Sequence, residues 1–117
     1  MILHMLPIAE WEALVEVDAQ TYRAASLESE GFIHCTKEPE LLVRVANSFY
    51  REIPGPFTIL HIEEALVEPE VRWEEADAHI FPHIYGPLNL NAVAGTRDFP
   101  RAADGAFLPF KAAPDRE

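Results

Sequence analysis

Short apolar runs, separated by polar or proline- and glycine-bearing stretches, organise this chain. Residues 2–6 are apolar apart from His4 and predict a short buried strand, closed by Pro7. Trp11, Leu14 and Val15 then fall at helical spacing, with Glu10, Glu12, Glu16 and Asp18 on the remaining positions, so residues 8–18 predict a helix. Residues 19–30 are polar and irregular up to Gly31. Phe32 to Cys35 predicts a second short strand, and Thr36 after it is a candidate helix N-cap. Pro39 suits a first helical turn, where its missing N–H costs nothing. Leu41, Leu42, Val45, Ala46 and Phe49 form one apolar stripe and make 37–51 the clearest helix.

Pro54-Gly55-Pro56 predicts a turn. Residues 57–62 predict a strand with Phe57, Ile59 and His61 on one face and Thr58, Leu60 and Ile62 on the other. Residues 71–75 and 79–85 predict two more, with Pro82 restricting the second to a sheet edge or a bend. Residues 90–97 give a weaker strand signal. The chain from Arg101 onward, rich in Ala, Pro and Asp, reads as loosely packed or draped over the surface. Two helices followed by strands that do not alternate with helices predict an α+β fold. A single domain over residues 1–98 with an extension over 99–117 follows.

Length agrees: 117 residues suit one domain and bury a core without disulfides. No apolar run approaches the roughly 20 residues of a membrane span, and the N-terminus lacks a basic region of signal-peptide type. A cytoplasmic protein is expected, and the single cysteine, Cys35, fits a reducing compartment. Nine Lys and Arg against twenty Asp and Glu give a net charge of −11, which excludes a duplex binder working through many phosphates. Seven acids between Glu63 and Asp77, opposed only by Arg72, read as a solvated acidic face or as a surface toward a basic protein partner.

Five histidines draw attention first. His4 and His34 each interrupt a short apolar strand, where an imidazole must find hydrogen-bond partners. His79 and His83 are spaced for metal binding on a helix, but Pro82 removes the helix. His4, His34 and His83 are the candidate ligands should a metal hydrolase be the answer, although no metal is expected. His61 reads as structural. In Phe81-Pro82-His83-Ile84-Tyr85-Gly86-Pro87-Leu88 the prolines and glycine restrict the backbone around a titratable ring and a phenol, which suits either a site or a bent strand. Arg72-Trp73-Glu74 combines a cation, a stacking surface and a carboxylate that fits a general base or a ribose-orienting group. Cys35 adjoins His34, but neighbouring strand residues point to opposite faces, so no Cys–His pair forms. Five glycines and no GxGxxG or GxxxxGK[ST] exclude Rossmann and P-loop sites.

The set Glu10-Trp11-Glu12, Ser26-Leu27, Glu30-Gly31-Phe32-Ile33-His34-Cys35-Thr36, Ala46-Asn47-Ser48-Phe49-Tyr50, Arg72-Trp73-Glu74 and Phe81 to Leu88 resembles the small bacterial domain-of-unknown-function family 952 over residues 2–95. More distantly, the chain resembles the ADP-ribosyltransferase fold, in the branch of the RNA 2′-phosphotransferases. That resemblance implies two helices on a split, mainly antiparallel sheet. It implies NAD as the bound nucleotide: His4 at the nicotinamide ribose, and His34 with Thr36 at the nicotinamide or phosphate end. Glu74 or Tyr85 takes the third motif position. The phosphotransferases grip RNA with basic residues that this acidic chain lacks in number, so RNA is not the expected substrate.

The leading expectation is therefore a cleft lined by His4, His34, Glu74, His83 and Tyr85 that takes a small nucleotide-like molecule. His34, Glu74 and Tyr85 are the candidate catalytic residues; His4, Thr36, His83 and Arg72 are the candidate ligand-binding residues. ADP-ribosyl transfer, a glycosyltransferase reaction at an oxocarbenium-like carbon, needs groups that orient and stabilise charge more than a strong nucleophile. The alternatives are a non-catalytic binding module on a degenerate transferase fold and a histidine-dependent metal hydrolase.

Overall fold

Strand β1 (Ile2–Pro7) is buried from Ile2 to Leu6, His4 included, because both of its faces meet a core. It pairs antiparallel with β4 (Phe57–Ile62), which in turn pairs with β8 (Val93–Asp98). Strand alternation then sorts the side chains. Ile2, Leu6, Leu60 and Ile62 enter one core, and Leu3, Met5, Phe57 and Ile59 enter a second on the opposite face. All six residues of β4 are buried for this reason. The computed structural model describes residues 1–111.

The first core is closed by α1 (Ile8–Glu16), through Trp11 and Leu14, and by the inner face of a second sheet. That sheet has the order β3-β6-β5: β3 (Ile33–His34), β6 (His79–Tyr85) and β5 (Glu70–Ala76). Ile33, Cys35 and Ile84 point inward from it. A third, two-stranded pairing joins β2 (Thr21–Tyr22) to β7 (Leu88–Asn89). Between β2 and β3, the short helix α2 (Ala25–Ser29) ends at Gly31, whose φ of 92° suits glycine. The two three-stranded sheets meet at a backbone bridge: Leu3 N–H donates to Thr36 O at 2.7 Å, and Thr36 N–H donates to Leu3 O at 2.8 Å. The result is the α+β architecture that the chain pattern predicts, built on antiparallel sheets, with three α-helices among the described residues where two are expected.

Several local expectations need correction. Thr36 is not a helix cap, because its backbone is committed to Leu3; Glu38 takes the cap position and α3 runs Pro39–Phe49, shorter than 37–51. Pro39 does occupy the first turn. Leu42 and Ala46 are buried in the second core, yet Phe49 is 69% exposed: at the last turn Tyr50 packs inward, its ring 5.9 Å from that of Phe57. Pro82 lies in the middle strand of its sheet rather than at an edge. The proline fits because β3 runs out beside it. Its carbonyl accepts the Cys35 N–H at 3.1 Å, and the missing N–H falls where pairing ends.

The extension beyond residue 98 is also more than drapery. Phe99 and Phe107 are core residues of the second cluster. Asn47 clamps Phe107, donating from Nδ2 to its carbonyl at 3.0 Å and accepting its N–H at 2.7 Å. The Arg101 guanidinium donates to carbonyls of Arg51, Gly55 and Gly105 while lying 4.3 Å from the Phe107 ring centre. Residues 112–117 lie outside the described residues.

Candidate functional site

The β5–β6 hairpin decides which polar groups meet. Asp77 and Ala78 form its turn, both at positive φ (51° and 64°), the geometry of a tight two-residue connection that matches strand twist. The register that follows sets Arg72 opposite His83 and Glu70 opposite Tyr85, while β3 sets His34 opposite His83. Arg72, His83 and His34 therefore form a row across the three strands. Strand periodicity adds Glu74, Tyr85 and Phe32 to the same face. Five of the seven expected site residues (His34, Glu74, His83, Tyr85, Arg72) are thus brought together.

At the centre stands the Glu74 carboxylate. One oxygen, Oε1, accepts the His83 Nδ1–H at 2.7 Å and the Tyr85 hydroxyl at 2.6 Å. These donors hold the Glu74 carboxyl below the ordinary carboxylate range, Tyr85 contributing most and His83 next. The same bond pushes the Tyr85 phenol up, since a phenolate would face a carboxylate. Because a carboxylate only accepts, Nδ1 of His83 carries the proton, and a neutral ring then bears its lone pair at Nε2. His83 is almost wholly buried and Glu74 half-buried. Nε2 makes no hydrogen bond among the described residues, yet it is not sealed: Arg97 Nε is the buried side-chain atom left without a partner.

Aromatic groups frame this cluster. Phe32 stacks on His83 with ring centres 4.1 Å apart and planes 23° from parallel, and its edge meets His34 at 4.7 Å. The His34 and His83 rings are 5.3 Å apart, edge to face. Arg72 lies over the Tyr85 ring at 4.3 Å and pairs with Glu70 at 3.0 Å. His34 is half exposed and reaches Glu30 at 3.2 Å.

His4 and Thr36 take other places. The His4 Nδ1–H donates to the His34 carbonyl at 2.6 Å, and the Tyr22 hydroxyl donates to Nε2 at 2.9 Å. Both ring nitrogens are spent inside the protein, and burial lowers the pKa to about 4, so His4 is a neutral brace behind β3 rather than a lining residue. Thr36 is buried at the junction with β1. The expected cleft is accordingly an open aromatic and acidic face with His4 behind it. His79 and His83 share a strand face, but Phe81 stands between them. Among the described residues no three His, Cys, Asp or Glu side chains are grouped to hold a metal ion, which leaves the metal-hydrolase alternative without a ligand set. Phe32, Tyr22 and Glu30 are the members that sequence reasoning did not single out. Phe32 was within reach, since it lies two residues before His34 on one strand face.

A family model described as a protein of unknown function (DUF952) matches residues 5–96. The chain belongs to this family. In fold it is similar to protein CC0527 from Caulobacter crescentus: the X-ray structure is 27% identical, with 92% of each chain covered and a TM-score of 0.76. A doubly substituted variant of that protein gives 27% identity, the same coverage and a TM-score of 0.75. Its solution NMR structure gives 28%, coverage of 89% of this chain and 88% of that one, and a TM-score of 0.69. No curated protein matches the chain. Among the described residues no helix is long and apolar enough to cross a membrane.

Proposed function

We propose that the face built by Phe32, His34, Arg72, Glu74, His83 and Tyr85 binds a nucleotide of the NAD type and supports ADP-ribosyl transfer. The observation that carries this reading is the single Glu74 oxygen held by His83 and Tyr85 at 2.7 and 2.6 Å, half open to solvent. An ionised carboxylate fixed in this way is suited to orienting ribose hydroxyls and to facing positive charge at a ribosyl carbon.

The donor set fits such a ligand. Tyr85 and the His83 face now under Phe32 offer ring surfaces for a base or nicotinamide, and Arg72 offers a guanidinium for a diphosphate. NAD supplies a ribosyl carbon with nicotinamide as its leaving group. In this arrangement His83, with Nδ1 fixed on Glu74, is poised to take a proton at Nε2 from an acceptor hydroxyl. His34 flanks it as a second titratable ring, and His4 positions the His34 backbone without touching ligand. In this reading His83 moves from ligand holding to proton transfer.

A second reading, a non-catalytic binding module, is favoured by one observation: the Phe32 ring covers the face of His83. Thermal-shift titration with NAD, ADP-ribose and nicotinamide, run beside an assay of nicotinamide release, separates the two. The transferase reading expects a raised melting point with NAD and release that drops about 100-fold in Glu74→Gln. Binding without release selects the module. No shift with any of the three ligands removes both nucleotide readings.

A further inference from the structure

The opposite face of the β5–β6 hairpin is unfinished. Val71 and Ile84 pack against the first core, but the same row continues outward to Trp73 and Ile80, which are 43% and 59% exposed. With Leu41 of α3 they floor an open groove of about 630 Å³, rimmed by Glu38, Glu40 and Arg44. Trp73 is not loose: its indole N–H donates to Glu64 at 2.8 Å, so the apolar wall is held in place by an acid. Beside the groove, β5 is the outer strand of its sheet, and its backbone bonds to nothing but β6 among the described residues.

We propose that this groove and strand edge receive an extended, basic segment of a partner protein. The segment adds as a strand to β5, lays an apolar side chain on Trp73 at the mouth of the groove, and on the same face sets Lys or Arg side chains toward the acidic rim. Charge complementarity selects this occupant. Glu38 and Glu40 rim the groove, Glu64 bonds Trp73, Glu75 stands opposite Ile80 and Asp77 precedes Ala78 in the turn; Arg44 and His79 are the opposing basic side chains in the lining, and the chain carries −11 overall. A second copy fits badly, because each chain carries a net charge of −11 and two such chains repel. Solvation alone accounts for the acids but not for a fixed tryptophan and a bare isoleucine on one face.

The test is fluorescence anisotropy with a labelled peptide Lys-Thr-Val-Thr-Lys-Thr-Lys, in which Lys and Val share one strand face and whose seven residues match β5. A matched peptide with Glu for Lys is the control. Ile80→Lys, at a position already exposed, is the variant, and its circular dichroism reports whether it folds as wild type. Binding that weakens with salt, about tenfold or more in Ile80→Lys, and fails with the acidic peptide is the expected result. Amide NMR shifts gathered on β5 and the start of α3 complete it. No binding at millimolar peptide, equal binding by Ile80→Lys, or equal binding of the acidic peptide overturns the proposal. Sedimentation showing dimers that Ile80→Lys dissociates also overturns it, in favour of a second copy.

Discussion

Glu74 holds His83 by its Nδ1 at 2.7 Å, from a neighbouring strand and two positions out of direct register. The hairpin places the carboxylate opposite Phe81 and the imidazole opposite Arg72, so the two meet on a diagonal of one sheet face. The diagonal bond fixes the tautomer of His83 and leaves Nε2 as its free end. Tyr85, two residues further along β6, shares the same carboxylate oxygen.

That sharing predicts a measurable tyrosine. Tyr85 ionises above its ordinary value of 10.0 because its phenolate would face Glu74. Ultraviolet difference titration of wild type and Glu74→Gln reads this directly. The variant titrates one tyrosine at lower pH than wild type, and superimposable curves would separate Tyr85 from Glu74.

His4 makes stability depend on acid. Burial lowers its pKa from 6.5 to about 4, so between those values the unfolded chain takes up a proton that the folded chain refuses. Stability contributed by the neutral ring is intact above pH 6.5 and is lost as pH falls toward 4. The loss is on the order of 3 kcal/mol. Urea unfolding at pH 7.5 and 4.5 checks it: His4→Asn, less stable at neutral pH, loses less on acidification than wild type. An identical acid loss in the two proteins would assign the effect elsewhere.

Phe107 is expected to behave as a core residue despite its place near the end of the chain. It is 2% exposed, packed among Phe57 and Phe99 and clamped by Asn47. Phe107→Ala should cost about 3–5 kcal/mol in denaturant unfolding, and ending the chain at residue 98 should cost at least as much. A loss below about 1 kcal/mol would mean that the packing carries no weight.

Cys35 is buried, and burial pushes its thiol far above the ordinary range, so the folded protein holds it as an unreactive thiol. A disulfide reagent at pH 8 should label it only at the rate of unfolding, with labelling accelerated by urea. Fast labelling in buffer would show that the β3 edge opens.

Much of this architecture was legible along the chain, for identifiable reasons. Strands β1 and β4 announce themselves as short apolar runs, and α3 as a periodic stripe after Thr36-Lys37-Glu38-Pro39. The histidines in apolar strands correctly marked polar groups with partners, but two similar sequence contexts produced different environments. His34 faces outward from a two-residue strand, whereas His4 lies on the β1 face that packs into the first core, bonded to Tyr22. No local pattern distinguishes them, because the difference arises from which segment covers each strand. Pro82 misled for the same reason: a proline is excluded by the bond it cannot make, and the neighbour that would ask for that bond ends beside it. The anchoring of the chain after residue 98 depends on Asn47 meeting Phe107 across 60 positions, a contact without a local signature. Within the acidic run, Glu74 differs from its neighbours only by register. Once Asp77-Ala78 is taken as the turn, counting outward sets Glu74 opposite Phe81, diagonal to His83 on the same face.

The ring of Phe32 already rests on His83, at the spacing a flat ligand would adopt. An incoming aromatic group therefore trades places with a phenyl ring instead of filling empty space. In such an exchange the apolar area covered on arrival is offset by the area Phe32 uncovers on leaving, so calorimetry should register a small heat-capacity change. Stacking then confers little preference among flat molecules. In the proposed nucleotide reading, selection falls to what a phenyl ring cannot provide: a charge for Glu74 or Arg72 to face.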